Sequence, residues 1–307
     1  MNQLVSVVIP VYKGGEYIEK TVKSILSQDY SSIELLLIDD GCPDNSGAIL
    51  DDLSTSDKRI RVFHKDNGGV AEARNFGIKL AEGELIAFCD QDDLWLPSKL
   101  SKQVPLFDEQ NVGVVYCGAE AAYVLENKVV KSNFSESCSG DVFEALIYEN
   151  SIICCTVVAR KNLLENNNAF DAENSLMGVD DWLAWLKLSL VCQFDFVAED
   201  LAIHVFHGDN FSSNEEKMHV AELVCLDKIK PVAAKYNKSI DWDEIKQNLH
   251  IRYAKTYIFK GMFNLAGDTL LKAALLKNNR KLSFNGRLLK IVPNCIWRLI
   301  QKIKRSF

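Results

Sequence analysis

Apolar runs and amphipathic stretches alternate along the first third of the chain. Ser6 to Val11 (SVVIPV), Ile33 to Ile38 (IELLLI), Ile60 to His64 and Leu85 to Cys89 are short apolar runs of the kind that form buried strands. Between them lie helical patterns. Glu16 to Gln28 sets Ile18, Val22, Ile25 and Leu26 on one face. Ala48 to Leu53 follows the cap-type residues Asp44, Asn45 and Ser46, and Val70 to Ala81 turns Ala73, Phe76, Gly77 and Leu80 inward. Gly14-Gly15, Asn67-Gly68-Gly69 and Glu82-Gly83 supply the breaks. Strand and helix alternating at this spacing predict an α/β fold with a parallel, doubly wound sheet. In such a sheet the strand-to-helix loops share one edge, and ligands bind there.

The pattern then loosens. Gly113 to Leu125 predicts a strand or hairpin that continues the sheet, Asn127 to Glu136 a polar loop, Gly140 to Tyr148 a helix and Ser151 to Ala159 a buried strand. Asp180-Asp181 opens a helix carrying Trp182, Trp185, Leu186 and Ser189 on one face. From Glu215 the character is helical, over Val220 to Ala234 and Trp242 to Lys277, with Asp241 and Glu244 forming a capping box.

Chemistry enters at the strand ends. The strand at Leu85 runs straight into Asp90, Asp92 and Asp93, after which Trp95 and Pro97 open a helix. Carboxylates this close repel one another and need a cation, helix-end dipoles or water. An Asp-x-Asp pair offers hard oxygen ligands that suit Mg²⁺ or Mn²⁺. Alone, such a pair is more often a solvated turn, with Asp93 as a helix cap. Here Asp39 and Asp40 end another strand of the same sheet, so one crevice collects acids from loops far apart in sequence. Neither G-x-x-x-x-G-K-[ST] nor G-x-G-x-x-G occurs, which argues against a P-loop or a dinucleotide fingerprint. A diphosphate in an acid-lined crevice would need a bridging divalent cation, and Arg74 one loop away adds positive charge.

Composition narrows the partners. The 307 residues are 48% hydrophobic and 25% charged, enough for a sizeable core and for one large α/β domain with an appendage. Nine cysteines form no Cys-x-x-Cys and sit largely in apolar runs, as buried thiols of a reducing compartment do. The chain enters a strand almost at once and has no apolar run of transmembrane length, so neither a signal peptide nor a membrane span is expected. Ten basic residues and no acid follow Asp268; set against −7 overall, they leave −17 on the residues before them. An acidic body argues against nucleic acid, and the basic tail points to an anionic surface. Beyond Pro293, Ile296, Leu299, Ile300 and Ile303 share a face with Arg298, Gln301, Lys302 and Arg305 away from it. Such a helix suits a membrane surface; docking on its own domain or a second subunit is the plainer alternative.

Four segments carry a resemblance: SVVIPVYKGGEYIEKTVKSILSQDY, ELLLIDDGCPDNS, NGGVAEARNFGIKLAEGELIAFCDQDD and FDAENSLMGVDDWLAWLKL. Together they closely resemble the inverting glycosyltransferases of family 2, with the GT-A fold, over about Ser6 to Ser213. The resemblance implies a nucleotide-diphosphate sugar donor, UDP-linked, and single-sugar transfer, since the Gln-x-x-Arg-Trp motif of processive members is absent. It implies that Pro10, Val11 and Tyr12 pack on the base, that Asp40 hydrogen-bonds uracil, and that Arg74 lies beneath the nucleotide. In Asp90-Gln91-Asp92 it directs Asp90 to the ribose and Asp92 to Mn²⁺ or Mg²⁺. Cys42 stands where Ser is usual, Lys13 where Asn is usual.

Inverting transfer needs a carboxylate to take the acceptor's proton as it attacks the anomeric carbon. The resemblance puts that base at Asp181, with Asp180 in place of the usual Glu; ordinary helix capping by this pair is the plain alternative. Ala202 to Ser213 resembles the family's closing loop, where His207 would be a third metal ligand, Asn210 and Ser212 fit, and Val205 replaces a common Arg. The expected organisation is a GT-A catalytic domain over 1–214, with a nucleotide-sugar half at about 1–110 and an acceptor half at about 111–214. A helical extension with a basic amphipathic tail would fill 215–307. A lipid-linked saccharide in surface-polysaccharide synthesis would be the acceptor, and the cytoplasm or the inner membrane face the location. A nucleotidyltransferase and a non-catalytic scaffold are the rival readings; VYKGGEY is a poor match to the Gly-rich loop of the first.

Overall fold

The computed structural model describes residues 3–131, 139–208, 210 and 214–291. The chain divides into two compact units, Met1–Ser213 and Asn214–Phe307.

In the first unit β1 (Val5–Val11), α1 (Ile18–Leu26), β2 (Ile33–Asp40), α2 (Ser46–Ser56), β3 (Ile60–Lys65), α3 (Val70–Leu80) and β4 (Leu85–Phe88) alternate as the pattern predicts. β1 and β2 are buried at every position, which is why they read as continuous apolar runs instead of alternating ones. Helix α1 buries Ile18, Val22 and Ile25. Helix α3 buries Gly77 and Ile78, not Phe76 and Leu80, and a Cβ on Gly77 would lie 2.5 Å from Val8.

The next elements are β5 (Leu94–Trp95), α4 (Lys99–Gln103), β6 (Val112–Tyr123), β7 (Lys128–Val130) and α5 (Phe143–Leu146). Then come β8 (Val158–Arg160), α6 (Lys161–Asn166), α7 (Asp180–Ser189) and β9 (Gln193–Phe206). Among the described residues the sheet has nine strands in the order β3-β2-β1-β4-β8-β6-β9-β5, with β7 on β6. β1 to β4 pair in parallel; β8 runs antiparallel to β4 and β6, while β6 and β9 form a long parallel pair.

Three local expectations change. Leu94-Trp95 is a strand on β9, not the start of a helix, because Trp95 pairs with Ala202 and the helix begins only at Lys99. Most of the apolar run from Ser151 is not strand: Cys154–Thr156 form a 3-10 turn, and only Val158–Arg160 join the sheet. Part of the expected polar loop is β7; residues 132–138 lie outside the described residues.

The second unit holds α8 (Glu215–Lys235), α9 (Trp242–Phe259), α10 (Phe263–Leu276) and α11 (Arg280–Ile291). The Asp241 side chain caps α9 through the Glu244 amide. The basic helix expected after Pro293 lies outside the described residues. His219 and His250 are buried and share a 2.8 Å hydrogen bond, with Tyr257 on the other nitrogen of His219. Burial, then the neighbouring Lys272 for both and His250 for His219, depresses each imidazole from 6.5 to about 4. The unfolded chain therefore takes up protons at a pH where the folded unit refuses them. Their contribution is complete above about pH 6.5 and drains away towards pH 4. Thermal unfolding between pH 7.5 and pH 5 should show a drop in midpoint that shrinks in His250→Gln. An equal drop in both proteins would contradict this.

Candidate active site

The C-terminal ends of β1, β2 and β4 bring three loops together. Gln91 ties the first to the third: its side chain accepts from the Tyr12 amide (2.9 Å) and donates to the Tyr12 carbonyl (3.1 Å). A Cβ on Gly14 would lie 2.3 Å from that side-chain oxygen, so a larger residue there would push Gln91 off Tyr12. Pro10 and Val11 are buried in β1, and of the three only Tyr12 has an exposed side chain, with exposed Lys13 over its ring. Asp40 is buried and accepts from Lys65, Asn67 and the Gly68 and Gly69 amides. Any base-binding by Asp40 falls to a carboxylate already holding the Gly68–Gly69 loop. Asp39 instead takes His64 and the Cys42 amide.

Arg74 is the buried centre of the site. Its guanidinium donates to Asp90 and to Asp180, each at 2.6 Å, and lies over the Phe170 ring. The positive charge expected for a diphosphate is thus committed to two acids from loops far apart in sequence. Asn75 donates to the Phe170 carbonyl and fixes the same loop. Helix α7 is anchored by its aromatics: Trp185 packs against Phe88 and Phe170, and the Trp182 ring nitrogen donates to the Leu146 carbonyl. That anchoring presents both acids of its first turn.

The two acids differ. Asp180 is buried and paired with Arg74; burial pushes its carboxyl up and Arg74 pulls it back. Asp181 is half-buried, accepts from the Trp182 amide at 2.7 Å, and has Asn150 at 3.4 Å. Burial and the adjacent Asp180 push it to about 7. An open cleft beside Asp180 is lined by Gly68, Gly69, Asp171 and Asn174.

Asp92 and His207 meet, with Asp92 Oδ2 2.7 Å from His207 Nε2, although 115 residues separate them. Burial, then Asp93 and Asp90, raises the Asp92 carboxyl. A divalent cation would relieve that repulsion: the Asp92 carboxylate is a hard donor that suits Mn²⁺ or Mg²⁺, and the His207 imidazole beside it favours Mn²⁺ of the two. The His207 ring stacks on Tyr17, and Asn210 clasps its loop by accepting from the His207 amide and donating to the Val205 carbonyl. Ser212 lies outside the described residues.

Sequence reasoning missed the pairing of Asp93 with His204. Asp93 is fully buried and caps no helix; it accepts from His204 Nδ1 (2.9 Å) and the Val205 amide (3.0 Å). Burial opposes the His204 charge, but Asp93 outweighs it and lifts the imidazole to about 9. Asp93, His204 and Cys155 gather within 4.8 Å, as metal ligands can. With His204 protonated, the Asp93–His204 pair joins the acid loop to β9.

The N-terminal half of the chain, with Asp40, Arg74, Asp90 and Asp92, matches a known family. The family model described as glycosyl transferase family 2 covers residues 6–162, just over half of the sequence. The chain belongs to glycosyl transferase family 2. The glycosyltransferase GlyG of Streptococcus pneumoniae is 42% identical over 116 residues, 38% of this chain and 38% of that protein. The chain spans 29% to 38% of the length of the first curated relatives it matches. Among solved structures, S. aureus TarS 1–349 in complex with UDP-GlcNAc has a TM-score of 0.65 at 19% identity, covering 94% of this chain and 90% of that one. The mannosyltransferase PcManGT of Pyrobaculum calidifontis, in complex with GDP-Man and Mn²⁺, has a TM-score of 0.64 at 17% identity, covering 98% and 85%. The fold is therefore GT-A: a curled, mostly parallel sheet flanked by helices. No helix of the described residues is long and apolar enough to cross a membrane.

Proposed function

We propose that the chain moves one sugar from a nucleoside-diphosphate sugar, UDP-linked, to an acceptor hydroxyl with inversion. The observation that carries this is the meeting of Arg74, Asp90, Asp180 and Asp181 at the sheet edge, with Asp92 against His207. Residues 1–214 do the chemistry and 215–307 are an extension, an assignment supported by the division after Ser213. UDP, UDP-GlcNAc and GDP-Man in the structural neighbours support a nucleotide-linked donor.

Asp181 takes the acceptor proton. A base with a pKa near 7 is half-ionised at neutral pH and strong enough to accept a hydroxyl proton in the transition state. Asp180 is a poorer candidate because its carboxylate is tied to Arg74. Tyr12 offers the base of the donor a ring to lie on, and Asp90, held by Arg74, stands towards the ribose. Asp92 and His207 would hold Mn²⁺ or Mg²⁺, which when bound neutralises charge on the departing diphosphate. The acceptor is a lipid-linked saccharide of surface-polysaccharide synthesis, reached from the inner membrane face through the basic tail.

The test is a panel of nucleoside-diphosphate sugars incubated with the protein and lipid-linked saccharides. The expected products are free nucleoside diphosphate and an acceptor lengthened by one inverted sugar. Pyrophosphate as the product would instead make this a nucleotidyltransferase. Transfer should rise with pH through about 7 as Asp181 ionises and level off above it. A profile that falls over that range would remove Asp181 as base.

A further inference from the structure

Helix α11 (Arg280–Ile291) packs on α10 through a close glycine contact: a Cβ on Gly267 or Gly286 would lie 2.8 Å from the other's carbonyl oxygen. Leu289 fills the same side and is 5% exposed. The opposite side is unusual. Phe284, Leu288 and Ile291 recur at helical spacing and are 65%, 37% and 78% exposed. Arg280, Lys281 and Arg287, all exposed, border them. Lys290 turns aside to pair with Asp268, the last acid in the chain.

We propose that this face of α11 docks on an anionic lipid bilayer, with Phe284, Leu288 and Ile291 entering the headgroup boundary and the three cations meeting lipid phosphates. An apolar centre rimmed by cations is the pattern of a helix that lies in the interface plane. Charge selects among occupants. A second copy seated on this face would bring two sets of like charges together with no acid from α11 to balance them. Nucleic acid would match the cations but offers no apolar phase for three large side chains, and the chain up to and including Asp268 carries −17 to repel it. The proposed function invokes a membrane through the tail beyond residue 291; this inference shares that partner but rests on a different, described helix.

The experiment is co-sedimentation of the full chain with phosphatidylcholine vesicles, with and without phosphatidylglycerol. UDP binding is measured on the same preparations, so failure of the donor site and failure of the membrane face read out separately. The expected result is binding only to the phosphatidylglycerol vesicles. It should weaken at least tenfold in the triple variant Phe284→Ser, Leu288→Ser, Ile291→Ser and, independently, in Arg287→Glu. The residues changed are exposed, and Arg287→Glu keeps the test valid if the triple variant misfolds. Four outcomes would overturn the proposal: no vesicle binding by the full chain, equal binding to neutral vesicles, dimerisation or RNA binding that depends on the same face without vesicle binding, or loss of binding only on removal of 292–307. The last would leave the tail as the membrane contact.

Discussion

Asp181→Ala is expected to bind UDP as the parent does and to transfer sugar about 10²–10⁴-fold more slowly, the usual contribution of a positioned general base. The expectation follows from where the side chain sits. Asp181 touches the Trp182 amide and Asn150, neither of which is in the group that gathers Tyr12, Asp90 and Asp92. Removing it leaves Arg74, Asp90 and Asp180 paired. It also relieves the repulsion on Asp180, so the fold should not suffer. Asp181→Asn sharpens the measurement, since it keeps the shape and the acceptor for Trp182 but cannot take a proton. The parent's rise in rate through about pH 7 should vanish from whatever activity remains. If Asp181→Ala transferred sugar at the parent rate, the base would have to be sought elsewhere, with Asp180 first.

Arg74→Leu should cost the catalytic unit about 3–5 kcal/mol, the penalty for stranding a buried charge by removing its partner. Asp180 loses the counter-charge that offsets its burial, and Asp90 loses the donor that orients it. The double variant Arg74→Leu, Asp180→Asn should regain part of that stability without regaining activity, because Asp90 stays unanchored. Denaturant unfolding reads the first effect and sugar transfer the second. A single variant as stable as the parent would mean that water reaches Asp180 freely.

The first four strands and their helices were legible because β1, β2 and β4 are buried on both faces and each helix on one, which writes two distinct periods into the residues, with β3 the half-buried edge. Legibility fails where a partner is remote. Leu94-Trp95 is strand only because β9 arrives beside it, and nothing near Pro97 announces that. The acids behave alike. Asp90, Asp92 and Asp181 were singled out from loops on one sheet edge, but Asp93 read as a cap because its partner His204 lies 111 residues away. The commitment of Arg74 to Asp90 and Asp180 was equally invisible: a guanidinium near a proposed diphosphate looks available until the acids that surround it are in place.

The most direct measurement is a calorimetric titration of UDP into the full chain with Mn²⁺ and again with EDTA, on the parent and on Asp92→Ala. The account predicts binding with Mn²⁺, little or none with EDTA, and loss of the metal-dependent part in Asp92→Ala while the variant stays folded. Tight UDP binding that neither EDTA nor Asp92→Ala alters would contradict it, because the charge of the diphosphate would then be met by groups other than a cation held at Asp92 and His207.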